Sequence, residues 1–158
     1  AEKLALSQFE SAANMTDQQA AFSALVHNET SASDGVIAAF YEQWHGDHLV
    51  MDKWFMIQAT APKPGTLKRV EELFTHKDFD LRNPNRVRSL LGAFCAANPV
   101  CFHDISGEGY QLLGQYVEKL NSPNPQIAAR LTIPLTRWQR YDEGRQMLMK
   151  NELDRLWS

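Results

Sequence analysis

The amino-acid sequence predicts an all-α protein made of stacked helix pairs, an α-superhelix like those of armadillo and HEAT repeats. Apolar residues recur at helical spacing along the whole chain, and no run alternates as a β-strand would. Predicted helix pairs start about every forty residues, near residues 17, 49, 84 and 124, which is the repeat length of such arrays. A plain helical bundle is the alternative, because the units share no clear sequence identity.

Five helices are predicted before the middle of the chain. Four of them cover residues 1–13, 17–27, 36–44 and 49–60, and the fifth covers residues 67–74. The fourth segment, LVMDKWFMIQAT, is apolar on nearly every side, so we expect it to be the most buried helix of the set. Two prolines directly after it end that helix.

The stretch 83–102, NPNRVRSLLGAFCAANPVCF, is expected to contain the helix around which the others are arranged. An Asn-Pro pair marks each of two helix starts, because Asn accepts a free backbone N–H group and Pro fits the first turn. The first of these helices has one large apolar face and an opposite face of small uncharged residues. These small residues are Ser89, Gly92, Ala93 and Ala96. We expect this helix to be packed on both sides, with Arg86 and Arg88 at the two seams between the faces.

Further helical segments are predicted after this stretch. A short turn of helix begins at Asn98-Pro99, and a longer helix covers residues 110–120. A third segment begins at Asn124-Pro125, and Pro134 should kink it because proline removes one backbone hydrogen bond. The last helix is expected at about residues 141–157.

Composition is that of one compact globular unit. The chain has 158 residues, of which 44% are hydrophobic and 22% are charged. It has no initiator Met, and its last helix has no signal for a C-cap. We therefore expect residues 1–158 to form a single helical-repeat domain that is a fragment of a larger chain.

The net charge of −3 is too small to imply nucleic-acid binding, but it is unevenly distributed. Residues 1–61 contain eight acidic and two basic residues, whereas residues 62–158 contain eleven acidic and fourteen basic residues. An anionic group is therefore expected to bind to the second part. No apolar run has the length of a membrane span, and Cys95 and Cys101 are expected to be free thiols in a reducing, cytoplasmic compartment.

Common catalytic motifs do not occur in this sequence. His-Glu-x-x-His, Gly-x-Ser-x-Gly and phosphate-loop patterns are all missing. His45 and His48 have roughly the spacing of metal ligands, with Asp47 and Asp52 close by, so a zinc site is one interpretation. The interpretation that we favour is a solvated helix end. His103-Asp104 is also more typical of a helix end than of a catalytic pair, so the chain is not expected to be a complete enzyme.

Several ungapped blocks, in the same order, resemble one known family. The blocks are NMTD at 14–17, LVMDKWF at 49–55, NPNRVRSLLGAF at 83–94, the stretch 98–103, NPQIAARL at 124–131 and LTRWQRYD at 135–142. Together they are similar to the C-terminal domain of bacterial aminopeptidase N, the alanyl aminopeptidase of the zinc-dependent gluzincin class. The resemblance implies an all-helical, armadillo-like superhelix that closes over a thermolysin-like catalytic domain and encloses a large cavity.

The resemblance also implies where the chemistry of the parent enzyme lies. Its zinc ligands and general base belong to upstream domains, so zinc is expected in the parent enzyme and no cofactor or metal in this chain. The implied partners are the catalytic domain of the same polypeptide and peptide substrates, with no nucleic acid and no membrane. The chain by itself is expected to be inactive.

Two arginines match family arginines that face the catalytic cavity. Arg88 of NPNRVR and Arg130 of IAAR are implied to contact the C-terminal side of a bound peptide. A guanidinium suits this role because it binds a carboxylate through two hydrogen bonds and keeps its charge when partly buried. The alternative for each arginine is an ion pair within the domain or a cap at the C-terminus of a helix.

Two functions remain open from the sequence. One is the noncatalytic C-terminal domain of a zinc aminopeptidase, an enzyme that removes N-terminal amino acids from peptides. The other is a free-standing helical-repeat module that binds a partner protein in its groove. A His-Glu-x-x-His motif upstream in the same reading frame would favour the first.

Overall fold

The computed structural model describes residues 1–28 and 30–158, and every regular element in these two ranges is helical, as predicted. The helices are α1 (Glu2–Ser11), α2 (Met15–His27), α3 (Ser33–Trp44), α4 (His48–Ala59), α5 (Thr66–Leu73), α6 (Pro84–Val87), α7 (Ala93–Ala97), α8 (Pro99–Phe102), α9 (Glu108–Asn121), α10 (Pro125–Leu131), α11 (Ile133–Thr136) and α12 (Glu143–Trp157). A π-helical segment, Arg88–Gly92, joins α6 to α7, and a 3₁₀ turn, Trp138–Arg140, follows α11. Within the described ranges, none of the helices has the length and hydropathy that crossing a membrane requires.

Asparagine side chains start three helices where the sequence predicted them. Asn83, Asn98 and Asn124 each accept backbone N–H groups of the following turn at 3.1 to 3.3 Å, and a proline occupies each of those turns. Asn98 is fully buried, and its amide group also donates to the carbonyl oxygens of Ala59 and Ala61 at 3.0 and 2.9 Å. This cap therefore links the start of α8 to the end of α4.

Helix α4, rather than the helix predicted within the stretch 83–102, lies at the centre of the core. It packs against α2, α3, α5, α6, α7 and the π segment. Seven of its twelve residues are buried, compared with seven of fourteen in α9, so the prediction that it is the most buried long helix is confirmed. Trp54 is part of this core, and its indole Nε1 donates to the carbonyl oxygen of Ile37 on α3 at 3.0 Å. The indole thus has both apolar contacts and a hydrogen-bond partner.

The helix that begins at Pro84 packs on one face only. Its large apolar residues are buried, as predicted, namely Val87, Leu90, Leu91 and Phe94. The small-residue face is partly exposed at Ser89, Gly92 and Ala93 and exposed at Ala96. The prediction of packing on both sides is therefore wrong for this chain, because no described helix covers that face. The two arginines expected at equivalent seams differ, because Arg86 is buried with the apolar face and Arg88 is exposed.

The C-terminal helices pack as a second group in which α9 contacts both α10 and α12. Gly107 precedes α9 with a φ of 76°, a left-handed conformation that glycine adopts without steric cost. The segment 124–135 was predicted to kink at Pro134, and the structure divides it there into α10 and α11. Proline cannot donate a backbone hydrogen bond, so the helix cannot continue with regular pairing.

Candidate functional site

Arg86 is one of the two arginines near the start of the helix that begins at Pro84, and its guanidinium is paired within the fold. Only 3% of the residue is exposed. Its Nε donates to Asp52 Oδ1 at 2.8 Å, its Nη1 donates to the carbonyl oxygen of Asp78, and its Cζ lies 4.9 Å from the ring centroid of Phe55. A buried charge with a carboxylate, a carbonyl and an aromatic face is already satisfied. Arg86 is therefore a structural residue, held by Asp52 and the carbonyl oxygen of Asp78.

Arg88 lies two residues further along and is exposed. Its Nη1 donates to the side-chain oxygen of Asn85 at 3.0 Å, and it forms no ion pair with any residue that the structure describes. It begins the π segment, in which the N–H group of Ala93 donates to the carbonyl oxygen of Arg88. Such one-turn π segments occur frequently at functional sites. Because Arg88 has no ion pair, the ion-pair alternative for this residue is excluded within the described chain.

Arg130 lies in the last turn of α10 and is also exposed. In residues 1–28 and 30–158 its guanidinium has neither a carboxylate partner nor a side-chain hydrogen bond to the last carbonyl groups of the helix. It lines a surface pocket of about 420 Å³. Neither alternative predicted for Arg130, an ion pair or a C-terminal cap, is present in the described structure.

The pocket beside Arg130 combines positive charge with apolar walls. Ala96 and Pro99 line it from α7 and α8, and Ile133 and Pro134 line it from α11. A second arginine, Arg137, lies on the same pocket at the end of α11. None of the described residues that line the pocket has a carboxylate side chain. The arrangement suits an anion attached to an apolar group.

Stacked aromatic rings form another part of the pocket wall. The ring of His103 stacks on that of Tyr141 with centroids 4.3 Å apart, and its Nδ1 lies 2.7 Å from the hydroxyl oxygen of Tyr110. Burial lowers the pKa of His103 and the nearby charge of Arg145 lowers it further, so the ring is neutral at pH 7. Burial also raises the pKa of Tyr110 to about 12, which keeps its hydroxyl protonated.

Asp104, the sequence neighbour of His103, does not orient that ring. Its Oδ1 accepts the backbone N–H group of Ser106 at 3.0 Å, and this hydrogen bond lowers the pKa of the Asp104 carboxyl group. The carboxylate therefore stabilises the turn after α8, as a residue at a helix end does. The helix-end interpretation of His103-Asp104 is confirmed.

The residues of the possible zinc motif have separate roles. Asp47 accepts two backbone N–H groups at the start of α4, at 3.0 and 3.2 Å, and is its N-cap. Asp52 is paired with Arg86, His45 stacks on a tyrosine ring and His48 is exposed. In the part of the chain that the structure describes, no group of three or more His, Cys, Asp or Glu side chains is placed to hold a metal ion. The two carboxylates of the motif are thus committed to a helix cap and an ion pair.

The two predicted site residues, Arg88 and Arg130, do not line the same pocket. The Cβ of Arg88 lies 3.7 Å from the position that a Cβ on Gly92 would occupy, so Arg88 and Gly92 are neighbours on the face that leads to Ala96. Sequence reasoning missed Arg137. The one feature of the sequence that could have indicated Arg137 is its position just after the helix break at Pro134.

The whole chain, residues 1–158, matches the family model described as "Domain of unknown function (DUF3458_C) ARM repeats", and the chain belongs to this family. It is also similar to three curated aminopeptidases N. The identity is 46% over 156 residues with the Escherichia coli K12 protein, 45% over 148 residues with the Haemophilus influenzae protein and 40% over 158 residues with the Caulobacter vibrioides protein. These matches cover 99%, 94% and 99% of this chain, and 18%, 17% and 18% of the respective relatives.

A solved structure agrees with these relatives. The crystal structure of Legionella pneumophila aminopeptidase A in complex with aspartic acid matches with a TM-score of 0.95 and 39% identity, over 99% of this chain and 18% of that chain. The predicted all-α, armadillo-type fold and the predicted family are therefore confirmed. The chain corresponds to the C-terminal helical domain of aminopeptidase-N-like enzymes, and it spans about a fifth of the length of the relatives it matches.

Proposed function

We propose that this chain is the noncatalytic helical domain of a zinc-dependent aminopeptidase, where it closes over the catalytic domain of the same polypeptide and shapes the cavity for peptides. The observation that carries the proposal is similarity over 99% of this chain to aminopeptidases N, of which it covers only 18%. In this proposal residues 1–158 act as one domain. The ligands of the catalytic zinc and the general base belong to other domains of a cytoplasmic enzyme.

The proposed role of the chain in substrate binding rests on Arg88 and Arg130. Both are exposed, and neither has a carboxylate partner among the described residues. A guanidinium without a counter-charge is available for the carboxylate or the carbonyl groups on the C-terminal side of a peptide. Arg86 provides the contrast, because its charge is used inside the fold.

Such contacts would act on binding rather than on bond cleavage. An aminopeptidase cleaves the first peptide bond, so the downstream part of the peptide is present equally in the ground state and in the transition state. An interaction of equal strength in both states lowers KM and leaves kcat nearly unchanged. We therefore expect the two arginines to affect KM for peptides.

Zinc content and hydrolysis test the proposed function. The full-length polypeptide that contains this chain should hold zinc and hydrolyse an alanyl-anilide, because zinc supplies the Lewis acid and the activated water. Residues 1–158 expressed alone should bind no stoichiometric zinc and show no turnover. A full-length polypeptide without aminopeptidase activity would favour the free-standing interaction module instead. Turnover by residues 1–158 alone would also contradict the proposal.

A further inference from the structure

The pocket beside Arg130 contains a second cation that the family resemblance did not indicate. Arg137 lines this pocket from the end of α11 and is exposed. In the described ranges it has no ion pair and no side-chain hydrogen bond, and no acidic side chain lines the pocket. Two guanidinium groups without a counter-charge create a positive potential that favours an anion.

The helix break at Pro134 explains why Arg137 is available. Helix α10 ends at Leu131 and α11 has only one turn, so Arg137 follows directly as the C-cap residue of α11. Arg137 and Arg130 then lie on either side of the Ile133-Pro134 step and line the same pocket. The neutral ring of His103, stacked on Tyr141, adds a flat wall but no charge.

The apolar part of the pocket restricts what kind of anion fits. Ile133 is 47% exposed, and Pro99 and Ala96 lie on the same pocket. Covering an exposed aliphatic side chain with another one is favourable because both surfaces leave water. A pocket of about 420 Å³ is within the range of small-molecule sites and has room for a single amino-acid residue.

We propose that this pocket binds the terminal carboxylate of a peptide together with the apolar side chain of its last residue. Arg137 and Arg130 hold the carboxylate, and Ile133 and Pro99 contact the side chain. The proposal rests on the proposed function only for the source of the ligand, a peptide substrate. It predicts a preference for leucine as the last residue over glycine, which lacks the apolar group, and over lysine, which the arginines repel.

Direct binding tests the pocket without any need for catalysis. The probe is N-acetyl-L-leucine, which has the carboxylate and the apolar side chain but no free amino group for an aminopeptidase to bind. Calorimetry on the full-length polypeptide should show saturable binding that is weakened about tenfold in Arg137→Ala, the scale of one charge-assisted hydrogen bond. The amide N-acetyl-L-leucinamide should bind more weakly than the acid to the parent protein.

Arg140→Ala is the matched control. Arg140 is also exposed and lies in the 3₁₀ turn after Arg137, but it does not line the pocket. Its variant should bind the probe like the parent protein, and Arg137→Lys should lie between the parent and Arg137→Ala because lysine keeps the charge but not the planar fork. Equal affinity of Arg137→Ala and the parent would overturn the proposal, and so would the lack of saturable binding.

Peptide kinetics separate this proposal from the proposed function. Three peptides with the same N-terminus and with leucine, glycine or lysine as the last residue are compared as free acids. The parent enzyme should have the lowest KM for the leucine peptide, and Arg137→Ala should remove most of that preference. If the enzyme cleaves none of the peptides, the proposed function fails. The calorimetric titration still shows in that case whether the pocket binds the carboxylate. If it cleaves all three with equal KM, the pocket proposal fails and the proposed function stands.

Discussion

Arg86 and Arg88 are two residues apart on the same helix, yet their surroundings are opposite. Arg86 is buried with Asp52, the carbonyl oxygen of Asp78 and the ring of Phe55, whereas Arg88 is exposed and donates a hydrogen bond to the side-chain amide of Asn85. Two residues along a helix correspond to a rotation of about 200°, so the side chains of Arg86 and Arg88 point to nearly opposite sides. The burial of each arginine, and not its residue type, therefore decides whether its charge serves the fold or remains available for a ligand.

The same contrast extends along the two faces of this helix. The face of Arg86 carries Val87, Leu90 and Phe94, which pack into the core around α4. The face of Arg88 carries small side chains that lead to the pocket wall at Ala96. Small side chains leave the helix backbone open to close approach, which a long polar side chain would prevent. One side of this helix thus stabilises the fold, and the opposite side carries the proposed ligand contact at Arg88.

The largest change in the free energy of unfolding is expected from Arg86→Ala. Removing one partner of a buried ion pair leaves the other partner without compensation, and Asp52 has only 19% of its side chain exposed. We expect a loss of about 3 kcal/mol in the free energy of unfolding, the lower end for such pairs because Asp52 retains some contact with water. Urea denaturation measures this loss.

Two controls accompany that variant. Arg88→Ala should change the free energy of unfolding by less than about 0.5 kcal/mol, as substitutions on an open surface usually do. The double variant Arg86→Met/Asp52→Leu should lose less than Arg86→Ala alone, because it leaves no unpaired charge in the core. Equal losses for Arg86→Ala and Arg88→Ala would remove the distinction between the two faces.

A smaller effect is expected from a matched pair of glycines. A Cβ on Gly109, at the start of α9, would lie far inside van der Waals contact of the Phe102 carbonyl oxygen, which belongs to the backbone and cannot move aside easily. Gly109→Ala should therefore cost about 1 to 3 kcal/mol, the scale of overpacking. A Cβ on Gly92 would meet only Arg88 Cβ at 3.7 Å, so Gly92→Ala should stabilise by about 0.5 to 1 kcal/mol. Thermal unfolding compares the two, and a destabilised Gly92→Ala would mean that the small-residue face is covered.

Protonation of His76, whose pKa is affected by the charge of Arg86, should lower the stability of the folded chain. Burial lowers the pKa of His76 below its ordinary value of 6.5, and the charges of Lys77 and Arg86 act in the same direction while Asp78 opposes them. Because the unfolded chain then binds more protons than the folded chain near and below pH 6.5, stability is greatest above that pH and falls as the pH drops through it.

Denaturation at several pH values checks the sign of this effect. The free energy of unfolding should decrease between about pH 7.5 and pH 5.5, and His76→Asn should reduce that decrease. His48→Asn, which changes an exposed histidine, is the control and should behave like the parent. A pH dependence that is the same in all three proteins would contradict a contribution from His76.

Most of the fold could be predicted from the sequence because it depends on local signals. Asn83, Asn98 and Asn124 act as the caps that their Asn-Pro pairs predicted, and apolar spacing placed α4 in the core. The small-residue face was misjudged because small uncharged side chains suit a buried contact and an open pocket wall equally. Only the three-dimensional arrangement shows that nothing in the described chain covers Ala96.

The candidate site was predictable only in part. Arg88 and Arg130 were found through the family resemblance, and residue type alone did not distinguish them from Arg86. Arg137 was not found, because its place in the pocket depends on how far the chain turns after Pro134. Periodicity describes regular helices, but a helix break followed by a single turn has no period from which a direction can be predicted.

Peptide hydrolysis by arginine variants of the full-length enzyme shows whether Arg88 and Arg130 serve substrate binding while Arg86 serves the fold. The measurement compares kcat/KM for a tetrapeptide with a free carboxylate and for a short chromogenic amide, together with Tm. Arg88→Ala and Arg130→Ala should weaken kcat/KM for the tetrapeptide by about tenfold or more, the scale of a charge-assisted contact, with little change for the amide and nearly unchanged Tm. If both variants lose several degrees of Tm and affect the two substrates alike, these arginines are structural and do not serve substrate binding.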